Sequence, residues 1–547
     1  MYKILAGLCL LLPVFAQEKV DLGVIGQIKT EAFSNSKVMD HLGYLADWYG
    51  PRLTGSPEFR EAADWAVKRL GEYGLENPHL EKWGTFGRSW TLQKYSVELL
   101  EPRYSLLAAA PLAWSRGTNG PVSGDLILVE ISKADFWNAK EYDGDVDKFI
   151  QKYKGQLHGK IVLITKPIKN VLKLEENAQF RRYTDSDLAK MAESPEPAAK
   201  PTFDPKNIVL PDDPEEAREF LSGLPFAALM KLYNEREDAL AKLNAFFASE
   251  NVVAVLQDDG RAHDSMVFSE GAGSYKPNGQ LAPPTFVVTA EHYNRLTRLL
   301  QKKAPVRVQI NLQVKMPDAP VDAYNIVGEI PGTTKRDEVV MLGAHFDSWH
   351  TGTGATDNGA GSAVMIEVVR ILKALNLKMD RTVRIALWSG EEQGLLGSEA
   401  YVKEHFADPA TMRTTAAWDN FAGYFNLDNG SGKIRGVYLQ ENDAMRPIFE
   451  QWLQPFRDMG VSTISIRNTS GTDHLSFDAI GLPGFQFIQD PLDYGTVAHH
   501  SNMDVYDHAV PADLMQASAV IATCVYEAAT RPDKLPRKAM PKPLTTE

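Results

Sequence analysis

The chain has 547 residues, of which 44% are hydrophobic, which is ample material for a packed globular core. This composition excludes a collagen, a coiled coil and an intrinsically disordered chain, and the length predicts three or four domain-sized units. The formal net charge is -13, from 58 Lys+Arg and 71 Asp+Glu. Such an acidic chain repels phosphate backbones, so nucleic acid is not an expected partner.

The first residues predict a secretory signal peptide. Lys3 supplies a short positive region, Ile4 to Phe15 form an apolar run, and Ala16 is a small residue at the expected cleavage position. The run is shorter than the roughly 20 residues that a spanning helix needs. We therefore expect a secreted or periplasmic protein with no membrane anchor after cleavage. Cleavage would remove Cys9 and leave Cys524 alone, so no intrachain disulfide is expected.

The first half of the chain mixes helical and strand-like patterns. Residues 59–74 have helical periodicity and end at a glycine, whereas 95–100 and 124–130 are strand-like. Residues 184–216 are rich in Asp, Glu, Pro, Ala and Lys, which predicts a long exposed excursion that is partly disordered. A helix is expected to follow, from about Glu215 to Ser249.

Further along, strands and helices begin to alternate. Residues 251–257 predict a buried strand, and 286–314 predict strand, helix and strand. From Asn325 the alternation is regular, which indicates a largely parallel sheet covered by helices. Ligands of such sheets bind where strand ends meet loops, and the candidate functional residues fall at those points.

The first candidate motif is Gly343-Ala344-His345-Phe346-Asp347, at the end of a predicted strand. Because side chains alternate along a strand, His345 and Asp347 point to the same side. An imidazole that binds a metal needs its other ring nitrogen held by an acceptor, and a carboxylate two residues later can provide one.

The second motif is a glycine-rich run over residues 352–361 that contains Asp357 and precedes a helix. A nucleotide-binding glycine loop would need glycine at position 357, and a carboxylate there would repel a phosphate. A carboxylate at a crowded turn from strand to helix suits a metal better.

The third motif, Trp388-Ser389-Gly390-Glu391-Glu392-Gln393-Gly394, places two acids where an apolar strand gives way to a helix. Two buried carboxylates side by side repel unless a cation or a proton lies between them. Since adjacent side chains point in different directions, one of them can bind a metal while the other faces a reacting water.

The remaining candidates are Asp428, which follows another strand, and the doublet His499-His500. Together the motifs offer two imidazoles and three carboxylates at the ends of successive strands. This donor set suits two borderline-soft cations that share one bridging carboxylate.

These motifs together resemble metallopeptidase family 28, the co-catalytic zinc exopeptidases, and within it the carboxypeptidase Q-like members that carry a protease-associated domain. The matching stretches keep the family's order over most of the chain: LTGSPEFREAADW, YNIVGEIPG, GAHFDSW, TGATDNGAGSA, WSGEEQGLLGS, FNLDNGSG and GTDHLSFDAIGLPGFQF. The resemblance implies an α/β fold, with a mixed, largely parallel sheet sandwiched by helices and an inserted β-rich protease-associated domain.

The resemblance also implies a division of the chain. The expected parts are a signal peptide at 1–16, a first part of the peptidase domain at 17–116, the protease-associated-like insertion at 117–317, the main peptidase domain with the metal site at 318–535, and a tail at 536–547.

Carried over residue by residue, the resemblance implies two zinc ions per chain and a role for each candidate. His345 and Asp428 would bind one zinc, Glu392 and His500 the other, and Asp357 would bridge both. Glu391 would be the general base and Asp347 would orient His345. The family pattern places the histidine ligand four residues before an acid, and Asp504 therefore selects His500 over His499. Relatives also hold the bond after the bridging residue cis, which predicts a cis peptide between Asp357 and Asn358.

The predicted function is that of a secreted two-zinc exopeptidase that hydrolyses peptides or dipeptides, as an aminopeptidase or a dipeptidase. Carboxypeptidase-type trimming is the alternative, and the substrate-binding residues stay unassigned. A single-zinc glutaminyl cyclase is disfavoured, since all five ligand positions are filled, and a non-catalytic binding protein is disfavoured for the same reason. A homodimer is possible.

Overall fold

The structure is a computed structural model that describes residues 18–131, 139–168, 171, 180–193, 220, 224 and 226–543. The predicted signal peptide, with Cys9, lies outside the described residues, as does the end of the predicted tail. Within the described part, no helix is both long enough and apolar enough to cross a membrane.

The described residues form eighteen strands and thirteen α-helices. The strands are β1 (Glu76–Gly87), β2 (Thr91–Glu101), β3 (Ser105–Leu106), β4 (Ala109–Pro111), β5 (Val122–Leu128), β6 (Ile161–Leu163), β7 (Ala254–Gln257), β8 (Thr285–Val288), β9 (Arg307–Lys315), β10 (Val321–Ile330), β11 (Lys335–His345), β12 (Arg381–Trp388), β13 (Ala407–Asp408), β14 (Arg413–Thr414), β15 (Phe421–Asn426), β16 (Ile434–Tyr438), β17 (Thr463–Ser465) and β18 (Gly484–Gln489). The helices are α1 (Leu22–Ser34), α2 (Val38–Gly43), α3 (Pro57–Glu72), α4 (Ala139–Tyr153), α5 (Asp185–Ala192), α6 (Phe226–Ser249), α7 (Ala290–Gln301), α8 (Ala360–Ala374), α9 (Leu396–His405), α10 (Ala416–Asn420), α11 (Arg446–Leu453), α12 (His474–Asp478) and α13 (Pro511–Thr530).

The first sheet has eight strands in the order β1-β10-β12-β11-β15-β18-β16-β17. Its centre is parallel, because β11 pairs in parallel with both β12 and β15, and β15 pairs in parallel with β18. The strands β1, β10 and β16 pair antiparallel with their neighbours β10, β12 and β18. This mixed, helix-covered sheet confirms the predicted α/β fold.

Helices bury both faces of the first sheet. In β11, Val340 and Leu342 belong to a core shared with helices such as α8 and α13, whereas Met341 packs into a core on the opposite face with residues of α9. Side chains on both faces of the central strands are therefore buried, which explains why these strands are almost continuously apolar in sequence.

The second sheet contains strands between Thr91 and Lys315, in the order β3-β2-β9-β5-β6-β7-β8-β4. Its middle strands β5 to β8 are parallel, and α4, α6 and α7 lie within the same stretch of chain. We call residues 91–315 the second-sheet unit. Its first strand begins before residue 117, where the sequence places the start of the insertion, and the domain boundaries themselves stay a prediction.

The excursion predicted at 184–216 is described for residues 184–193. This part is largely exposed, but it forms α5, whose first turn is capped by Thr184. Just before it, Arg182 Nη1 lies 2.9 Å from Asp490 Oδ2 and 2.6 Å from Asp513 Oδ2, so the segment is anchored to the first-sheet side of the molecule. Residues 194–216 lie outside the described part. The helix expected from about Glu215 is observed as α6, Phe226–Ser249.

Candidate metal centre

The candidate residues converge at the carboxyl ends of the central parallel strands. His345 is the last residue of β11 and lies opposite Trp388, the last residue of β12. Glu391 and Glu392 lie three and four residues beyond the end of β12, and Asp428 lies two residues beyond the end of β15. Parallel strands end at a common edge, which is why motifs that are far apart in sequence meet here.

Asp357 comes from the loop between β11 and α8. It is 4% exposed, and its backbone is not helical, with φ -125° and ψ 89°. The peptide bond between Asp357 and Asn358 is cis, as predicted. Asn358 anchors the turn further, because its side-chain amide donates to the Leu427 carbonyl across 2.9 Å.

The two oxygens of Asp357 face two different histidine and carboxylate pairs. On one side, His345 Nε2 lies 3.2 Å from Asp357 Oδ1 and 3.3 Å from Asp428 Oδ1. On the other, His500 Nε2 lies 3.3 Å from Asp357 Oδ2 and 3.1 Å from Glu392 Oε2. The structure thus brings all five predicted ligands together as two groups that share one carboxylate.

These distances are compatible with two zinc ions. Two ligand atoms at about 2.0–2.1 Å from one tetrahedral zinc lie about 3.3 Å apart, which matches the separations in both groups. Moreover, Asp357 Oδ2 and Glu392 Oε1 are buried and lack a hydrogen-bond partner among the described residues. Buried oxygens of this kind are normally satisfied, and a cation would satisfy them here.

The doublet His499-His500 leaves two histidines close to Asp357. His499 Nε2 lies 3.8 Å from Asp357 Oδ2, whereas His500 Nε2 is closer to Asp357 and also contacts Glu392. The two rings stack with centroids 3.7 Å apart and planes 23° apart. The geometry therefore favours His500 as the ligand, and His499 covers it from one side.

Glu391 faces His345, whereas Glu392 faces His500. Its Oε2 lies 3.9 Å from His345 Nε2, too far for a hydrogen bond, and its side chain is 10% exposed. This arrangement leaves the carboxylate beside the His345 group without joining it, a position from which a base can act on a reacting water.

Comparisons with known proteins point to one peptidase family. The sequence model described as peptidase family M28 matches residues 325–525, the segment that supplies all five predicted ligands. Residues 325–525 therefore belong to peptidase family M28. Carboxypeptidase Q of Mus musculus is 25% identical over 525 residues, which cover 95% of this chain and 90% of the mouse protein. Aminopeptidase YwaD of Bacillus subtilis is 29% identical over 39% of this chain and 46% of its own length.

Solved structures share the fold of this M28 peptidase. A peptidase M28 precursor from Shewanella amazonensis superposes with a TM-score of 0.65 at 23% identity, over 95% of this chain and 98% of that protein. The zinc aminopeptidase BSAP from Bacillus subtilis has a TM-score of 0.53 at 18% identity, over 90% and 94% of the two chains. The sequence-based resemblance to peptidase family M28 is therefore confirmed by the matching segment and by relatives that span most of the chain, and the solved structures share the fold.

Asp347 occupies the predicted place in this M28 peptidase, but its contacts differ from those expected. His345 Nδ1 is 3.0 Å from the main-chain oxygen of Asp347 and 3.7 Å from its carboxylate, so the main chain is the nearer acceptor. The carboxylate instead accepts from the Thr54 hydroxyl at 2.7 Å and from the amides of Glu391 and Glu392 at 3.4 and 3.3 Å. Asp347 therefore holds the turn that carries the two glutamates.

Sequence reasoning missed Arg52, which is fully buried beneath the M28 site. Its Nε donates to the Phe346 carbonyl at 2.7 Å, and its Nη2 donates to the Gly354 carbonyl at 2.9 Å. It thus holds both ends of the loop that leads from β11 to Asp357. Burial lowers the pKa of Arg52 to about 10, although Asp504 and Asp347 raise it, so the guanidinium stays charged at neutral pH.

The electrostatics of the centre are dominated by crowded carboxylates. Burial raises the pKa of Glu391 well above its usual range, opposed by His345 and reinforced by Asp428. Burial and the charge of Asp357 also raise the pKa of Glu392 to about 8. Burial acts to raise the pKa of Asp357, but the adjacent imidazoles of His345 and His500 bring it well below its usual range. Bound cations would remove this conflict between negative charges.

Proposed function

We propose that this M28 peptidase is a secreted two-zinc exopeptidase of the aminopeptidase or dipeptidase type. The observation that supports it best is that the two carboxylate oxygens of Asp357 face two separate groups. Each group contains one imidazole and one further carboxylate. A single-zinc site would need only one of these groups. In this proposal His345, Asp357 and Asp428 would hold one zinc, and His500, Asp357 and Glu392 the other.

When bound, the two zinc ions would polarise the scissile carbonyl and lower the pKa of a shared water toward about 7. Glu391 would take the proton from that water as it attacks, and would then deliver the proton to the departing amine. The burial of Glu391 supports this role, because it keeps the carboxylate basic enough to accept a proton. The amides of Glu391 and Glu392, held by Asp347, would keep the base in place during the transfer.

The choice of an aminopeptidase or dipeptidase is supported by a relative and not by charge. The carboxylates of Asp357, Glu391, Glu392 and Asp428 would be balanced by the two zinc ions, so they do not by themselves select a substrate α-amine. Aminopeptidase YwaD matches part of this chain, which supports action at the amino end, whereas carboxypeptidase Q matches most of it, which keeps carboxypeptidase-type trimming as the alternative.

A peptide-library digest with sequencing of the products tests the specificity. Loss of single amino-terminal residues, or cleavage of dipeptides alone, supports the proposal, and loss of carboxy-terminal residues replaces it with carboxypeptidase-type trimming. Metal analysis of the purified protein tests the site: two zincs per chain are expected, one zinc would favour a glutaminyl cyclase, and none would favour a binding protein. Secretion is tested by sequencing the exported chain, which should begin at Gln17.

We further propose that 1–16 is the signal peptide, that 17–116 and 318–535 form the peptidase domain, that 117–317 is a protease-associated-like insertion, and that 536–547 is a tail. A possible homodimer is tested by measuring the mass of the protein in solution.

A further inference from the structure

We propose that Glu270, which belongs to the second-sheet unit, is the positioning residue for His500 and so completes one of the two zinc sites from outside the first sheet. This inference rests on the two-zinc function proposed above. It adds a residue that lies well outside the segment 325–525 that matches the family.

The first support is the contact itself. His500 Nδ1 lies 2.8 Å from Glu270 Oε1, while His500 Nε2 faces Asp357 and Glu392. An imidazole that binds zinc through Nε2 carries its proton on Nδ1, and an acceptor at Nδ1 fixes both the tautomer and the ring orientation. A carboxylate is the strongest such acceptor and also makes the ring a better donor to the metal.

The second support is the backbone around the contact. The Ser269 amide donates to the His500 carbonyl across 2.9 Å, and Phe268 forms an isolated antiparallel bridge with Ser501. His500 itself has φ +62°, a left-handed conformation that non-glycine residues rarely adopt. The second-sheet unit therefore holds the main chain of His500 as well as its ring.

The third support is that Glu270 is held in place. Arg261 Nη2 lies 3.4 Å from Glu270 Oε1, and the same guanidinium makes two contacts of 3.0 Å to the carboxylate of Asp259. Arg261 also lies 4.5 Å from the centroid of the Phe268 ring. These contacts fix Arg261 and, through it, the Glu270 carboxylate that accepts the hydrogen bond from His500 Nδ1.

The other zinc site is supported differently. His345 Nδ1 has its acceptor two residues away, at the Asp347 main-chain oxygen just after β11 of the first sheet. The two histidines therefore depend on different parts of the molecule, and loss of Glu270 should affect the His500 site selectively. This selectivity separates a positioning role from a general effect on stability.

The experiment compares the full-length wild type with Glu270→Ala and Glu270→Gln. Zinc content is measured against increasing chelator, together with kcat, KM and thermal unfolding. In Glu270→Ala we expect one zinc to bind about 10- to 100-fold more weakly and the other to be unchanged. Glu270→Gln keeps an acceptor oxygen and should recover part of the affinity. The matched control is Glu235→Ala, an exposed glutamate on α6 of the same unit.

The outcomes separate the two proposals. If the wild type binds two zincs and Glu270→Ala holds both as tightly, the role of Glu270 is wrong and the two-zinc function stands. If both zincs weaken equally, the selectivity is lost and the inference is also overturned. If the wild type binds one zinc, the two-zinc function fails, and Glu270 keeps its role only if that zinc weakens in Glu270→Ala. Should Glu270→Ala fail to fold, Glu270→Gln and Arg261→Gln provide the same comparison.

Discussion

The carboxylate of Asp504 accepts hydrogen bonds from the turn that presents Asp357. The Asp357 amide lies 3.2 Å from Asp504 Oδ2, and the amide and hydroxyl of Thr356 lie 2.6 and 2.8 Å from Asp504 Oδ1. Asp504 is 4% exposed and comes from the loop that follows His500. The bridging residue and the loop of one histidine are thus tied together behind the metal centre.

We expect Asp504→Asn to weaken both zincs, because Asp357 belongs to both groups. Asparagine has one acceptor oxygen, so one of the amides in the turn would lose its acceptor and face an NH₂ group instead. The expected loss is about 10- to 100-fold in affinity for each zinc, measured by chelator competition. Asp507→Asn, an exposed neighbour, serves as the control. Weakening of one zinc alone would contradict the role of Asp504 in holding the shared carboxylate.

Glu391→Gln should separate catalysis from metal binding. Glutamine keeps the size of the side chain but cannot take a proton, so we expect kcat to fall by about 100-fold or more while the zinc content stays unchanged. Glu392→Gln is the matched comparison and should lose zinc, since Glu392 lies 3.1 Å from His500 Nε2. If zinc content and activity fell together in Glu391→Gln, the roles of the two glutamates would have to be exchanged.

Asp347→Asn should lower kcat more than it lowers zinc affinity. The main-chain oxygen that faces His345 remains in the variant, whereas the carboxylate that holds the amides of Glu391 and Glu392 is lost. We expect the zinc at His345 to weaken by less than about 10-fold, at the low end for a lost acceptor. Thr54→Val removes the hydroxyl that orients Asp347 and should have a smaller effect in the same direction. A 100-fold loss of zinc affinity would show instead that the Asp347 carboxylate, and not its main-chain oxygen, is the main acceptor that orients His345.

His350 should make the contact between the two sheets sensitive to acid. Its Nε2 lies 2.8 Å from the Pro111 carbonyl of β4, and its ring contacts Trp90 with centroids 4.8 Å apart. Burial lowers the pKa of His350 to about 4, although the hydrogen bond to Pro111 acts in the opposite direction.

Because this pKa lies below the value of about 6.5 in the unfolded chain, the contribution to stability is complete above pH 6.5. It is lost as the pH falls toward 4, by at most about 3 kcal/mol. In urea unfolding with chelator present, His350→Gln should therefore show a smaller stability difference between pH 7 and pH 4.5 than the wild type. His79→Gln, at a more exposed histidine, is the control. Equal differences in the wild type and His350→Gln would exclude this role for His350.

The sequence predicts much of the centre because several ligands lie at or just after the end of an apolar strand. His345, Glu392 and Asp428 are placed in this way, and the ends of parallel strands must meet at one edge. The spacing to Asp504 selects His500, and the family resemblance predicts the cis bond after Asp357.

The supporting residues were not predicted, because each depends on a long-range contact. Glu270 is 230 positions from His500 and Arg52 is 294 positions from Phe346, and no periodicity or motif records such pairs. The sequence also could not predict that His345 contacts the main-chain oxygen of Asp347, since this contact depends on the bend of the chain after β11.

The chain passes from the first sheet to the second after β1 and returns after β9, and this path affects the order of folding. Gly87 of β1 lies opposite Val321 of β10, and Thr91 of β2 lies opposite Lys315 of β9. Roughly 230 residues separate these paired positions, and closing a flexible loop of that length costs about 5 kcal/mol in chain entropy. This entropic cost falls once the intervening residues have folded, because the folded second sheet already holds the ends of β1 and β10 close together. We therefore expect the second sheet to form early and the outer edge of the first sheet to form late.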